Sequence, residues 1–231
     1  MTKTTNSSTH SSKKSLIIFD LDGTLIDSVP DLAAAVDATL TALNAPTAGV
    51  DHVRTWVGNG SLKLVERALV WAGLPLTELE TAHKIFLQKY AHCHDKTVEY
   101  AGVSEGLERL AKQGFRLAIC TNKPVQFLPE ILKNMGWTDT FACVIGGDSL
   151  SVKKPDPAPL HHICQTLGVE NTHAVMVGDS ENDILAGKNA GMTTLALSYG
   201  YNYDKPISDS RPDAVFDEFG ALVDFILGHF A

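Results

Sequence analysis

The stretch that decides the fold of this 231-residue chain is LIIFDLDGT, residues 16–24. Its four leading apolar residues predict a short strand that is buried on both faces of a parallel sheet. Two carboxylates, Asp20 and Asp22, follow where this strand ends. Reactive groups gather beyond the carboxyl ends of the strands in an open parallel sheet. The stretch therefore predicts a functional site at the end of the first strand.

Similar apolar runs recur after residue 100 and alternate with helical patterns. We predict strands at 115–120, 141–145, 174–177, 193–197 and, more weakly, 214–216. We predict helices at 104–113, 125–135, 158–167, 182–190 and 218–227, and glycine follows four of them as a C-terminal cap would require. This alternation predicts an α/β fold, a Rossmann-like parallel sheet with helices on both faces.

Residues 28–99 interrupt the alternation. Apolar residues recur there at helical spacing without a convincing strand, at Leu32, Val36 and Leu40 and again at Leu62, Val65 and Leu69. We therefore predict a small all-helical cap domain, residues 28–99, inserted into a core formed by residues 16–27 and 100–231. The Ser/Thr-rich residues 1–15 lack an apolar signal core and are expected to form a disordered tail.

Charge and composition exclude several classes of function. The formal net charge is -8 and basic residues occur only in short pairs, so a nucleic-acid partner is not expected. No run approaches the ~20 apolar residues that span a bilayer, so no membrane partner is expected either. The four cysteines form no Cys-x-x-Cys pair and are interpreted as free thiols of a cytoplasmic protein. The sequence leaves monomer and homodimer both open.

Acidic residues at the strand ends predict a metal site. Asp20, Asp22, Asp179 and Asp183 would meet at one edge of the sheet, together with Thr121 and Lys154. Two like charges ~4 Å apart repel by roughly 4 kcal/mol at an effective dielectric constant of 20. Such a cluster stays ionised only beside cations. Mg²⁺, bound by carboxylates, waters and a substrate phosphate, is the expected ion.

A metal and a lysine would let a carboxylate attack phosphorus, because they shield the negative charge of the phosphate. Of two carboxylates one residue apart, one could attack while the other protonates the leaving oxygen and later activates water. The hydroxyl of Thr121 and nearby backbone N–H groups would hold the phosphoryl oxygens. The pattern therefore favours phosphoryl transfer to a carboxylate.

At these residues the sequence resembles the haloacid dehalogenase-like phosphatase superfamily. The four motifs of that superfamily match DLDGTL at 20–25, Thr121, Lys154 before proline, and GDSEND at 178–183. The resemblance implies that Asp20 is the nucleophile and Asp22 the general acid/base. It also implies that Asp20 and Asp179 bind Mg²⁺ through side chains, that Asp22 adds its backbone carbonyl, and that Asp183 supports the metal shell.

Other segments resemble the bacterial phosphoglycolate phosphatases within that superfamily. They are WVGNG at 56–60, TNKP at 121–124, VIGGD at 144–148 and YGYNY at 199–203. The resemblance implies a small phosphorylated substrate, 2-phosphoglycolate, hydrolysed to glycolate and phosphate. Its carboxylate would need a cation, for which Lys123 beside Thr121 and Asn122 is one candidate. Arg54, Lys63 and Arg67 in the cap are further candidates.

Several alternatives remain open at this stage. The substrate could be a sugar phosphate or pyrophosphate, and a phosphomutase could use the same fold. A dehalogenase is less consistent with the chain, because it would not need the metal-supporting Asp22 and Asp179. A catalytically silent binding module would not need the complete set of Asp20, Asp22, Lys154 and Asp179.

Overall fold

Six parallel strands form the central sheet of the computed structural model, which describes residues 15–93 and 95–231. The strands of the chain are β1 (Leu16–Phe19), β2 (Ile26–Asp27), β3 (Val98–Glu99), β4 (Arg116–Cys120), β5 (Cys143–Ile145), β6 (Ala174–Gly178), β7 (Thr193–Leu197) and β8 (Ala214–Phe216). The order across the sheet is β5-β4-β1-β6-β7-β8, so the first strand lies between β4 and β6. The predicted parallel α/β core is confirmed.

The helices are α1 (Val29–Ala42), α2 (Gly49–Arg54), α3 (Ser61–Trp71), α4 (Leu79–Tyr90), α5 (Val103–Lys112), α6 (Leu128–Asn134), α7 (Ala158–Leu167), α8 (Glu181–Asn189) and α9 (Phe219–Phe230). Helices α5 and α9 pack on one face of the sheet and α7 and α8 on the other, whereas α1–α4 lie between β2 and β3 in the chain and pack on one another. Ile17 and Phe19 point into an apolar core shared with α5 and α9, whereas Leu16 and Ile18 pack in the core formed with α7 and α8. Because both faces are covered, β1 and β6 are buried along their whole length, as their sequences predicted.

The register of the sheet brings the functional strand ends together. Phe19 pairs with Ile119 of β4 on one side and with Val177 of β6 on the other. The residues that follow these strands therefore emerge side by side at one edge. Asp20 continues the pairing, since its N–H donates to the carbonyl of Val177 at 2.9 Å.

A short antiparallel ribbon connects the helices α1–α4 to the sheet. Ile26 pairs with Glu99 and Asp27 with Val98, so β2 and β3 bring the two ends of the helical segment together. The prediction of no strand within residues 28–99 is therefore wrong at Val98–Glu99. A two-residue strand is too short to show periodicity, and its partner lies about 70 residues earlier in the chain.

Smaller differences concern the ends of elements. The predicted helix 125–135 is a 3₁₀ turn, Val125–Phe127, followed by α6, and the predicted strand 141–145 is shortened to β5. Ser15, which the prediction placed in the tail, extends the pairing of β1 by donating to the carbonyl of His173 at 2.9 Å. The rest of that predicted tail lies outside the described residues. None of the helices in the described ranges has the length and apolarity of a membrane span.

Candidate active site

Asp20 lies at the floor of a cavity between the sheet and the helices α1–α4, beside a buried lysine. The ammonium of Lys154 is 3.0 Å from Oδ1 of Asp20 and 2.6 Å from Oδ1 of Asp183. Lys154 is only 2 % exposed, whereas the neighbouring Lys153 is exposed to solvent. The structure thus places Lys154, and not Lys153, next to Asp20.

Asp179 at the end of β6 is held by donors to both of its carboxylate oxygens. The hydroxyl of Thr24 donates to Oδ1 at 2.6 Å, and the N–H of Tyr201 donates to Oδ2 at 2.7 Å. The chain passes so close that a Cβ built on Gly23 or Gly200 would lie 2.3 or 2.2 Å from atoms of Asp179. These two glycines form a cradle that fixes the carboxylate and admits no larger residue.

Asp183 connects the lysine to the start of α8. Its Oδ2 accepts bonds from the N–H and the hydroxyl of Ser180, at 3.0 and 2.7 Å, which is a capping box at the N-terminus of the helix. Its Oδ1 accepts the bond from Lys154. Both oxygens of this fully buried carboxylate therefore already have donors, so Asp183 serves to fix Lys154 in place.

The acidic cluster fits a hard divalent cation. One carboxylate oxygen from each of Asp20, Asp179 and Asp183 lies within 4.8 Å of the others, and all three residues are buried. Lys154 is the only cation in contact with this cluster among the described side chains. Carboxylate oxygens in a narrow cradle are the donor set that Mg²⁺ prefers.

Burial first, and then repulsion between the carboxylates, raises the pKa values of Asp20 and Asp179. Burial, opposed by Lys154 but assisted by Asp183 and Asp22, raises the pKa of Asp20 to about 7. Burial and then the charges of Asp183 and Asp20 hold the pKa of Asp179 well above its usual value. A bound cation would favour the ionised forms of both carboxylates and would oppose these shifts.

Asp22 points away from the acidic cluster and into the cavity. Its Oδ1 accepts bonds from the ammonium of Lys123 at 2.8 Å and from the hydroxyl of Ser28. The ammonium of Lys123 also lies 4.8 Å from the ring centre of Tyr90 on α4. Burial alone would lower the pKa of Lys123, but the attraction of Asp22 and Tyr90 outweighs burial and raises the pKa above its usual value. Lys123 is therefore a permanent positive charge inside the cavity.

The cavity is small and mostly apolar above its polar floor. Its volume is about 40 Å³, which is roughly the space of three water molecules at ~10–15 Å³ each. The floor is formed by Asp20, Asp22, Thr121, Asn122 and Lys123. The apolar walls are formed by Leu32, Val57, Leu64, Phe86 and Phe127.

Thr121 and Asn122, both predicted to bind substrate, lie on this floor. Thr121 is buried beside Asp20, and its hydroxyl accepts the N–H of Lys123 at 3.2 Å. Asn122 uses its Nδ2 to bridge the carbonyls of Lys154 and Gly58, at 3.0 and 2.9 Å. These contacts join the cavity floor to the loop that carries Lys154 and to Gly58 in the helical segment.

Arg54, the other predicted substrate residue, does not line this cavity. Its guanidinium is 3.1 Å from Oδ2 of Asp27 and lies over the ring of Tyr201, 5.2 Å from the ring centre. The hydroxyl of Tyr201 in turn contacts Oδ1 of Asp27 at 2.6 Å. The structure thus places Arg54 at the connecting ribbon, whereas Lys123 lines the cavity and contacts Asp22.

Sequence reasoning missed three residues that hold the site. Thr24 lies within the quoted motif, but its bond to Asp179 joins residues 155 positions apart and leaves no trace in the local pattern. Ser28, which donates to Asp22, had no signal in the sequence. For Tyr90, whose ring lies beside the ammonium of Lys123, the only signal in the sequence was its position at the end of an amphipathic helix.

The fold and the site together define a class of protein, and comparison with known proteins gives the same class. A model of the haloacid dehalogenase-like hydrolases matches residues 17–197. The chain belongs to this family. The resemblance noted at the four motifs is thereby confirmed.

Individual relatives give a narrower description. The chain is 53% identical over 221 residues to the phosphoglycolate phosphatase of Psychrobacter arcticus, covering 93% of this chain and 96% of the relative. It is 46% identical to the phosphoglycolate phosphatase of Pseudomonas syringae pv. tomato, covering 90% and 78%. A crystal structure from Haemophilus somnus, described as a predicted phosphoglycolate phosphatase, has a TM-score of 0.88 at 39% identity and covers 92% and 97% of the two chains.

Proposed function

We propose that this protein is a Mg²⁺-dependent phosphatase in which Asp20 is the nucleophile and 2-phosphoglycolate the substrate. The observation that carries the proposal is the placement of Asp20. Its carboxylate lies on the cavity floor, within the acidic cluster and 3.0 Å from the ammonium of Lys154. Asp22 lies in the same cavity, where it can exchange protons with a leaving group.

The reaction takes two steps at these side chains. A carboxylate oxygen of Asp20 attacks phosphorus, the bond from phosphorus to the ester oxygen breaks, and Asp22 donates a proton to that oxygen. Glycolate then leaves. Asp22 next removes a proton from a water molecule that attacks phosphorus, and the bond between phosphorus and Asp20 breaks. Inorganic phosphate leaves and Asp20 is restored.

The surrounding residues stabilise the phosphoryl group as it moves. Thr121 lies on the same floor as Asp20, and its hydroxyl can hold a phosphoryl oxygen. Lys154, kept in place by Asp183, supplies a fixed positive charge. Together they offset the negative charge that would otherwise repel the attacking carboxylate.

Asp20 and Asp179 would hold the Mg²⁺ through their side chains. The side chain of Asp22 points to Lys123, so only its backbone carbonyl would serve the metal, as the resemblance implied. Asp183 would act through Lys154 and through the charge of the cluster. When bound, Mg²⁺ neutralises phosphoryl charge and orients the phosphate for attack in line with the leaving oxygen.

The cavity supports a small acidic substrate. The enclosed space of about 40 Å³ is smaller than a phosphate ester, so binding must displace the cavity walls, and a small ester displaces them least. Lys123 is the cation within reach for a carboxylate. A sugar phosphate would bring hydroxyl groups against the apolar walls, where they would lose hydrogen bonds to water without replacement. The names of the two relatives, at 53% and 46% identity, support the same substrate.

The proposal is tested by measuring phosphate release from a panel of esters. We expect kcat/KM to be highest for 2-phosphoglycolate when it is compared with glycerol 3-phosphate, glucose 1-phosphate, ethyl phosphate and pyrophosphate. Excess chelator should abolish the activity and Mg²⁺ should restore it. A tenfold preference for a sugar phosphate or pyrophosphate would refute the substrate, and phosphoryl transfer without release would indicate a phosphomutase. The cytoplasmic location and the absence of nucleic-acid and membrane partners stay predictions from the sequence.

A further inference from the structure

One loop of the helical segment closes the cavity from above. We call residues 56–60, between α2 and α3, the cap loop. Val57, Gly58 and Gly60 of this loop line the cavity opposite Asp20. The carbonyl of Gly58 accepts a bond from Nδ2 of Asn122 at 2.9 Å and another from Nδ2 of Asn182 at 3.2 Å. The position of the cap loop is thus set by two side-chain amides, one from the loop after β4 and one from the first turn of α8.

Asn182 also connects the cap loop to Tyr203, which lies outside the cavity. Its Nδ2 also donates to the hydroxyl of Tyr203 at 2.9 Å. The guanidinium of Arg67 lies over the ring of Tyr203, 5.3 Å from the ring centre. Arg67 itself donates to the carbonyl of Trp56 and to Oδ1 of Asn59. Tyr203 therefore supports the arginine that holds the outer side of the cap loop.

The close approach of these parts requires glycine at position 58. Gly58 has a φ of 120°, which side chains rarely adopt, and a Cβ built there would lie 2.5 Å from the hydroxyl of Tyr203. Because the backbone of the cap loop lies directly against Tyr203, a shift of either one changes the contact. The contact is thus specific to the closed arrangement of the loop.

We propose that Asn182 and Tyr203 are positioning residues that hold the cap loop closed over Asp20 and thereby favour small phosphate esters. Neither side chain lines the cavity, so the role proposed for both is exerted through the cap loop. A loop held in this position excludes bulk water and resists displacement, so a small ester, which displaces it least, is favoured over a larger ester. This inference rests on the proposed function for its substrate and on the structure for its contacts.

The test compares two substrates in Asn182→Ala and Tyr203→Phe. The small ester is 2-phosphoglycolate and the large one is p-nitrophenyl phosphate. Loss of one or two hydrogen bonds should lower kcat/KM for 2-phosphoglycolate by about three- to tenfold. The value for p-nitrophenyl phosphate should stay level or rise. In both variants the backbone amides of residues 56–60 should exchange hydrogen faster than in the unmodified protein. Asn171→Ala, which removes an exposed amide bonded to His161, is the matched control and should change neither quantity.

Two results would overturn the inference. The first is unchanged hydrogen exchange in residues 56–60 of both variants, which would mean that the two side chains do not hold the cap loop. The second is an equal loss of activity toward both esters, which would indicate general damage to the site. Failure of the proposed function would be recognised separately, because the unmodified protein would then release no phosphate from 2-phosphoglycolate. The hydrogen-exchange experiment would still decide whether Asn182 and Tyr203 hold the cap loop.

Discussion

Replacing Lys123 by methionine tests how the site would recognise a carboxylate. The change keeps the length and the apolar stem of the side chain but removes the charge that lies 2.8 Å from Asp22. Lys123 is buried, and the nearby Lys154 is already shared between Asp20 and Asp183. No other described cation in the cavity lining could replace it.

The expected loss follows from the strength of one hydrogen bond between charged groups. Such a bond contributes roughly 1.5–3 kcal/mol, which corresponds to about a ten- to hundredfold change in kcat/KM. Lys123→Met also removes a partner of Asp22, and that effect should weaken the hydrolysis of any phosphate ester. The contribution of the carboxylate is therefore isolated by comparing 2-phosphoglycolate with ethyl phosphate, which has the same ester and no carboxylate.

The assay is phosphate release at saturating Mg²⁺, with Lys133→Met on the exposed surface of α6 as the control. We expect Lys123→Met to lose about ten- to hundredfold more activity toward 2-phosphoglycolate than toward ethyl phosphate. Equal losses for the two esters would refute the assignment of Lys123 as the carboxylate partner. The same comparison in Arg54→Met should show no selective loss, since Arg54 is engaged by Asp27 at the connecting ribbon.

Four further predictions concern the acidic cluster. Below the raised pKa of Asp20, about 7, Mg²⁺ must displace a proton from this carboxyl in order to bind. The affinity of the protein for Mg²⁺, measured by titration calorimetry, should therefore weaken by up to tenfold per pH unit as the pH falls from 7 to 5. Equal affinities at pH 5.5 and 7.5 would contradict this prediction. Without metal, the contribution of this carboxyl to stability should be fully present below pH 3.8 and decline as the pH rises toward 7, which a series of thermal unfolding midpoints should show. Asp183→Ala removes one of the two carboxylate partners of the buried Lys154, which keeps Asp20, and should lower the free energy of unfolding by about 1–3 kcal/mol, as read from urea denaturation. An unchanged free energy of unfolding would refute the role of this pair. Gly200→Ala should displace the carboxylate of Asp179 and lower Mg²⁺ affinity at least tenfold, while Gly220→Ala, which has open space around its Cα, should not.

Local patterns in the sequence were sufficient to predict the core of the fold. The strands Leu16–Phe19 and Thr193–Leu197 and the helix Ala158–Leu167 have the predicted bounds. Their apolar periodicity is strong because both faces of the sheet are buried, and glycines with positive φ end the helices as expected. The convergence of Asp20 and Asp179 followed from the rule that parallel strands end at one edge.

Contacts between distant residues could not be predicted in this way. The ribbon of Ile26–Asp27 with Val98–Glu99 depends on pairing between residues that lie about 70 positions apart. The same holds for the pairing of Arg54 with Asp27, which directs a predicted substrate residue away from the cavity. Sequence spacing placed Arg54 in the cap and Lys123 near Thr121, but only the packing of the helices against the sheet decides which of the two cations lines the cavity.

The central claim, covalent catalysis by Asp20, is tested most directly by trapping the intermediate. The enzyme is mixed with 2-phosphoglycolate and Mg²⁺, quenched within one turnover and treated with borohydride, which reduces an acyl phosphate to an alcohol. Peptide mass spectrometry should then find homoserine in place of Asp20, and Asp20→Asn should give no such product and no turnover. Homoserine in place of Asp22, or an Asp20→Asn enzyme that still releases phosphate, would contradict the mechanism.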